Sequence, residues 1–414
     1  MVMRVSTATT FFAPIEAMRR QQAELEQTQK EIATGKRLGA LAESPAKAAE
    51  ASDLERLLAA SERYAQNASL VGSRLRTGEQ TLTSAIEVMQ RVRELAVQGA
   101  NDSLDVSVRK MIAHEVRDLS DQVLLLANRQ TDTGEFLFGG TRATTAPFLR
   151  SGSGDPVAYL GDSREREIAI SSSRSISDGF AGDELFMTIT AGNGAFVTGV
   201  DADNTGTGSI DTGATVDKSQ WQGSAAQGPF SVTFAVSGGT TTYAVTRGDG
   251  QEVVPSGTLY RSGDPISFAG IQIAIRGAPN DGDRFTVTPA IGSAATEDLF
   301  TTIDRLATAL ETDPLTSSSR ARVNSEFASV LQQLDQALGN LNDARSSLGT
   351  RIRAIEENES FRQDQDLLLR DTLSAVQDVN FPEALARLNA QMTALQVAQQ
   401  AYSRISSRTL FDYL

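Results

Sequence analysis

The sequence has no cysteine and a single histidine among its 414 residues. Without cysteine, a disulfide framework, a Cys-ligated zinc site and a thiol nucleophile are all excluded. His114 lies in the run His114 to Asp118 (HEVRD), which lacks the second histidine of the H-E-x-x-H zinc motif. We expect His114 on a helix surface rather than in a catalytic triad. The sequence therefore predicts a protein that is not an enzyme, with no metal and no cofactor.

Positive charge is also scarce, because 38 Lys and Arg face 52 Asp and Glu, for a net charge of −14. Such a chain repels phosphate backbones and anionic lipid surfaces, so we expect neither nucleic acid nor a membrane as a partner. The longest uncharged run, residues 219–246, is rich in Ser, Thr, Gly and Gln, unlike the roughly 20 apolar residues of a membrane span. The polar start of the chain does not resemble a cleavable secretion signal.

Composition divides the chain into helical flanks and a glycine-rich middle. Of the 33 glycines, 23 lie between Gly140 and Gly282. The flanks are rich in Ala, Leu, Glu, Gln and Arg, which favour helix. We predict a mainly α protein with an inserted β domain. The predicted domains are a terminal coiled-coil assembly domain (1–42 and 376–414), a helical rod (43–140 and 291–375) and a central β domain (141–290).

The rod is predicted from two long apolar seams. A helix from Pro45 to Gly99 carries positions spaced three and four apart from Leu54 onward, and most of them are apolar. A second long helix begins near Ser318 and carries a similar seam from Phe327 to Ile355. Neither amphipathic helix is stable alone, so we expect them to pack as an antiparallel bundle. Shorter helices are predicted from Asp105 to Asn128 and around residues 300–310.

Each end of the chain carries a further narrow apolar stripe outside the rod. On the N-terminal stripe, Gln22 and Gln29 interrupt the apolar positions, and Gln399 does so on the C-terminal stripe. Short breaks at residues 34–39 and 378–382 separate the stripes from the rod. We predict that the two terminal helices pair and form the assembly interface. Its predicted residues are Phe11, Ile15, Met18, Leu25, Ile32, Leu385, Leu388, Met392, Leu395, Tyr402 and Phe411.

The middle region shows alternating β-branched and aromatic runs between glycine turns, at residues 230–236, 241–245, 271–275 and 285–287. The run Asp201 to Gly206 (DADNTG) resembles the start of a calcium loop, but Thr212 stands where a bidentate Glu is needed. A glycine-rich hairpin tip is the better interpretation. Carboxylates are plentiful in this region, so composition alone leaves a carboxylate-pair hydrolase open.

Several motifs resemble the bacterial flagellin family. The run Gln90 to Asn101 (QRVRELAVQGAN) is similar to a flagellin signature, and Ile32 to Leu38 (IATGKRL) is similar to the segment that links terminal and rod domains in that family. Gly134 to Thr141 (GEFLFGGT) and Gly282 to Val287 (GDRFTV) resemble hook-associated members more than filament flagellin. The C-terminal run Thr409 to Leu414, which contains Phe411, resembles the ending of members at the hook-filament junction.

The resemblance implies a structural subunit that joins the flagellar hook to the filament. It implies self-association into a ring, a second hook-associated protein on the hook side, flagellin on the filament side and a FlgN-type export chaperone. It also implies an extracellular location, reached by unfolded export through the flagellar type III apparatus without a cleaved signal peptide.

Two alternatives stay open at this point. The first is filament flagellin itself. The second is a flagellin-family scaffold that carries a binding or enzymatic β domain, since residues 149–263 match no motif of the family.

Overall fold

The computed structural model describes residues 7–37, 45–101, 103–152 and 155–406. Long helices at both ends and an inserted β region confirm the predicted fold class. The helices are α1 (Thr7–Thr34), α2 (Pro45–Gly99), α3 (Val106–Ala127), α4 (Lys218–Ala225), α5 (Leu299–Glu311), α6 (Ser317–Gln377) and α7 (Phe381–Ser406). The chain divides into two compact units, one formed by residues up to 66 and from 357, the other by residues 67–356. The predicted three-domain boundaries remain a prediction.

In the first unit, the start of α2 lies antiparallel to the end of α6. The Arg362 guanidinium donates to the Ser61 hydroxyl at 3.3 Å, and the Gln377 amide donates to the Glu55 carboxylate at 2.8 Å. Leu57, which the sequence placed on the apolar seam, is 54% exposed. Leu58, which is half-buried, takes the inward place of Leu57, and the two hydrogen bonds add polar contacts at this end of the helix pair.

In the second unit, α2 and α6 bury their predicted seams against each other. Every predicted seam position of α2 from Ala68 to Gly99 is buried, and Phe327, Leu334, Leu341 and Leu348 of α6 join the same core. A Cβ at Gly99 would overlap Leu310, so glycine is needed where α2 meets α5. The Asp105 carboxylate caps α3 by accepting from the Ser107 N–H at 2.8 Å, which lowers the pKa of Asp105.

The strands are short and antiparallel. They are β1 (Phe148–Arg150), β2 (Val157–Tyr159), β3 (Glu167–Ala169), β4 (Ser175–Ser177), β5 (Ile189–Thr190), β6 (Phe196–Val200), β7 (Ser209–Ile210), β8 (Ala214–Thr215), β9 (Phe230–Ser237), β10 (Thr240–Arg247), β11 (Glu252–Leu259), β12 (Pro265–Phe268), β13 (Ile271–Arg276), β14 (Arg284–Pro289) and β15 (Thr296–Glu297).

The β region has two parts with different cores. The hairpins β1–β2 and β3–β4 pack on the helical core, where Phe148 contacts Phe186 and Phe300 with ring centroids 5.4 and 5.9 Å apart. The later strands form a five-stranded sheet of order β11-β10-β9-β14-β6 and a smaller sheet of β12, β13, β7 and β8. Their shared core centres on Trp221, whose ring lies 5.5 Å from Phe196 and 5.8 Å from Phe230.

The loop that resembled a calcium site is closed by protein groups. The Asp201 carboxylate accepts from the backbone N–H of Asp203 at 3.1 Å, so it serves the turn itself. The buried Asp283 carboxylate accepts from the backbone N–H groups of Thr205, Gly206 and Asn280 at 2.8, 3.0 and 2.8 Å. The hairpin-tip interpretation fits this geometry, because Asp283 replaces the anchoring that a cation would give.

We predict that Asp283→Ala lowers the free energy of unfolding of the β region by about 3 kcal/mol, because it leaves three N–H donors of this loop without their acceptor. Urea unfolding followed by the fluorescence of Trp221, the single tryptophan of the chain, measures this change. Asp264→Ala, at an exposed carboxylate, is the control and should change the midpoint little. Equal midpoints for the two variants would contradict the anchoring role.

Candidate assembly interface

The two terminal helices are held together first by their connectors. α1 ends at Thr34, and Gly35 takes a φ of 71°, the left-handed conformation that ends helices. The Arg37 N–H then donates to the Gln377 carbonyl at 2.8 Å, and the Val379 N–H donates to the Gly35 carbonyl at 2.9 Å. This short antiparallel bridge sets the register of the helix pair before α7 begins at Phe381.

Beyond the bridge, α1 and α7 pack against each other along one narrow face each. The inward positions, all buried or half-buried, are Ile15, Met18, Gln21, Leu25, Thr28 and Ile32 on α1 and Ala384, Leu388, Gln391, Leu395, Ala398 and Tyr402 on α7. Both sets keep a spacing of three and four residues, as in a coiled coil. The predicted pairing of the terminal helices is therefore present in the structure.

Seven of the predicted interface residues lie on this seam. They are Ile15, Met18, Leu25, Ile32, Leu388, Leu395 and Tyr402. The side chain of Phe11 and all of Phe411 lie outside the described residues. The polar interruptions differ from the prediction, since Gln22 and Gln29 are exposed whereas Gln21 and Thr28 face inward. Thr28 can be buried because its hydroxyl donates to the Glu24 carbonyl at 3.0 Å within the same helix.

Two predicted residues lie on the stripe of α7 beside the inward row. Leu385 and Met392 are 48% and 50% exposed, so the prediction that they belong to the seam with α1 is wrong. The inward row uses Ala384 and Ala398 instead, which lets the helices approach closely. A search for large apolar residues overlooks alanine, and the unbroken spacing of four and three from Ala384 to Tyr402 is the signal that could have found it. Gln399 is also exposed.

A polar layer that the sequence did not predict crosses the seam. Glu31 is buried, and its carboxylate lies 3.6 Å from the Arg387 guanidinium. Thr28 lies one turn away and is 3% exposed. The side-chain oxygen of Gln391 is enclosed without a hydrogen-bond partner among the described residues. Such a layer weakens a helix pair but favours one register over others.

The other candidate groups are accounted for by structural contacts. His114 is exposed on α3, as predicted. The buried Asp178 carboxylate accepts from the Arg166 guanidinium at 2.7 Å and lies 3.4 Å from the Arg74 guanidinium. Among the described residues, no cluster of acidic and histidine side chains has the arrangement of a metal site. Within the same part of the chain, every helix is too short or too polar to span a membrane.

Comparisons with known proteins agree with this architecture. Residues 5–143 match the bacterial flagellin N-terminal helical region, and residues 331–414 match the bacterial flagellin C-terminal helical region. Flagellar hook-associated protein 3 of Escherichia coli K12 is 22% identical over 412 residues, which cover 99% of each chain. Flagellin D of Rhizobium meliloti is 23% identical over 410 residues, 96% of this chain and 95% of the relative.

Solved structures support the same assignment. The crystal structure of Xanthomonas campestris FlgL is 36% identical, with a TM-score of 0.70, and the match covers 78% of this chain and 99% of that one. Hook-associated protein 3 of Legionella pneumophila is 28% identical, with a TM-score of 0.73, and the match covers 78% and 98%. The chain therefore belongs to the flagellin family, as a structural, non-enzymatic relative of hook-associated protein 3 (FlgL).

Proposed function

We propose that this chain forms the junction between the hook and the filament of the bacterial flagellum, as a ring of identical subunits. A second hook-associated protein lies on the hook side of the ring, and flagellin lies on the filament side. The subunit works outside the cell, where it arrives unfolded through the flagellar type III apparatus with the help of a FlgN-type chaperone. These partners and this route come from the resemblance to the family.

The observation that carries the proposal is that α7 has two adjacent apolar stripes. Its inner face is occupied by α1. The stripe next to this face presents Phe381, Leu385 and Met392, which are 48%, 48% and 50% exposed. Each large apolar side chain that leaves water contributes about 1.5–3 kcal/mol, so this row favours association with a further helix. We name it the outer row.

The polar layer suits the same role. Glu31, Thr28 and Gln391 reduce what the apolar residues of the seam contribute to pairing, so contacts of neighbouring subunits on the outer row add to the stability of the pair. This coupling makes ordering of the ends dependent on assembly.

The position of the protein along the flagellum tests the function directly. We expect a label on this chain to mark a short band at the hook end of the filament, and we expect a strain without the chain to release flagellin into the medium. Immunogold electron microscopy and analysis of the medium measure the two results. Labelling along the full filament, or a deletion strain that loses flagellin export altogether, would contradict the junction and favour filament flagellin or another role.

Glutamate substitutions separate the two stripes of α7. We predict that Met392→Glu leaves the circular dichroism of the purified protein unchanged but prevents attachment of filaments, because an unpaired charge in a buried interface costs several kcal/mol. Leu395→Glu, on the inner face, should also reduce helical content. Motility and filament counts in a complemented deletion strain measure attachment.

The control for this pair is Gln400→Glu, at an exposed polar position of the same helix, which should behave as the wild type. Motile Met392→Glu cells with attached filaments would show that the outer row is not an interface. Loss of helical content in Met392→Glu would show that this residue supports the pair with α1.

The polar layer gives a further prediction. Gln391→Leu removes an enclosed oxygen that lacks a partner, and should stabilise the pair by about 1.4 kcal/mol, within the range known for such groups. Hydrogen exchange of residues 12–34 and 384–404 in the free subunit should then slow roughly tenfold. Gln399→Leu makes the same change at an exposed position and should leave exchange unaltered. Similar exchange in both variants would refute the proposed cost of the layer.

A further inference from the structure

One edge of the five-stranded sheet, strand β6, has backbone groups that pair with no strand in the described part of the chain. The Asp201 N–H donates to the Arg284 carbonyl at 3.1 Å, and the Ala290 N–H donates to the Ala195 carbonyl at 2.9 Å. In an antiparallel ladder, these two bonds mean that the backbone N–H and C=O groups of the odd-numbered residues of β6 point toward β14. The N–H and C=O groups of Thr198 and Val200 therefore point away from the sheet.

This edge lacks the usual protection against pairing. β6 carries no charge and no proline, and its register with β14 is continuous. It opens onto a cavity of about 590 Å³. Thr198, Gly199 and Val200 line one wall, and residues of α5 and α6, among them Asp304 and Arg322, line the other. The cavity is thus bounded by a strand edge that is competent to pair.

The cavity also has room for a positive charge. Burial raises the pKa of Asp304, against the opposing effect of Arg150, whose guanidinium is 3.7 Å away. Arg305, which lines the same cavity, is held by Glu297 at 2.6 Å and Glu326 at 2.7 Å.

The Arg150 guanidinium lies nearer to Asp121, at 2.8 Å, so its charge is shared between two carboxylates. Arg322 lines the same cavity but donates to the Ala202 carbonyl, which leaves Asp304 as a carboxylate that a further cation can approach.

The opposite edge of the sheet, β11, is blocked over only part of its length. Pro255 lies in it, and its register with β10 shifts between Tyr243 and Thr246 of that strand. Beyond this bulge, the Tyr260 N–H donates to the Thr241 carbonyl at 3.0 Å, so the N–H groups of Leu259 and Arg261 point outward. The Leu259 side chain is 68% exposed, and Arg261 is an exposed cation.

We propose that residues 259–261 of one copy pair, antiparallel, with residues 198–200 of a second copy, so that Arg261 enters the cavity that contains Asp304. The two edges have matching spacing, since each has outward N–H groups on residues two apart, although the Arg261 carbonyl already accepts from the Asp264 N–H at 3.1 Å and would have to accept a second hydrogen bond. Because the contact joins different surfaces of identical subunits, it is head-to-tail and is compatible with a closed ring. The inference rests on the proposed ring, and it assigns a subunit contact to the β region.

The absence of cysteine from the chain makes the pairing testable by disulfide formation. Val200 and Leu259 of two copies would face each other with Cα atoms about 5.5 Å apart, within disulfide reach. Within one copy they lie on opposite edges of a five-stranded sheet, about 19 Å apart, too far to be joined.

The experiment uses flagella isolated from a deletion strain that makes the full chain with Val200→Cys and Leu259→Cys together. After mild oxidation we expect a ladder in multiples of the 44.2 kDa subunit on a non-reducing gel, lost on reduction. The control joins Val200→Cys with Val216→Cys, which is exposed in the β region but away from both edges, and should stay a monomer. Arg261→Glu added to the first pair should reduce the ladder.

The outcomes are distinct from those that test the junction itself. Attached filaments without a ladder would overturn the edge pairing and leave the proposed function standing. An adduct whose mass is not a multiple of the subunit mass would show that another flagellar protein, and not a second copy of this chain, pairs with the edge. That result would also overturn the proposal. Where the first variant fails to attach filaments, Thr198→Cys with Arg261→Cys tests the same register, and a monomer there overturns the pairing.

Discussion

The apolar seam between α2 and α6 is the contact on which the second compact unit depends. All predicted seam positions of α2 between residues 68 and 99 are buried. The same core includes residues of α3 and α5 and the phenylalanines beneath the first two hairpins. Gly99 shows how tight the arrangement is, because any side chain there would displace Leu310. A core packed at this density resists deformation, so it is a firm support for the β region inserted between α3 and α5.

The terminal helix pair has the same heptad spacing but a different composition in its seam. Its seam combines seven large apolar residues with two alanines, a buried glutamate and a glutamine oxygen that has no partner among the described residues, and further apolar residues lie on the outer row. The exposed apolar row beside this seam supports the proposed contact with a helix of a neighbouring subunit.

The sequence predicted the long elements well and the finer positions less well. Helix boundaries were clear from Pro45, Gly99 and Asp105, because capping and helix-breaking residues act locally. Leu385 and Met392 were assigned to the wrong stripe of α7, since two adjacent stripes three and four residues apart are both compatible with a helix, and the partner chooses between them. Neither the polar layer nor the edge of β6 has a local signal, because each exists only when segments far apart in sequence meet.

The five-stranded sheet shows that protection of an edge can be selective. Pro255 and the register shifts interrupt the first half of β11, but they stop short of Leu259. On the other edge, β6 has no comparable defence, yet helices α5 and α6 limit access to its cavity. General aggregation requires long exposed edges, whereas these two edges admit only a short strand in one register. An edge restricted in this way is consistent with a specific contact between subunits and opposes uncontrolled pairing.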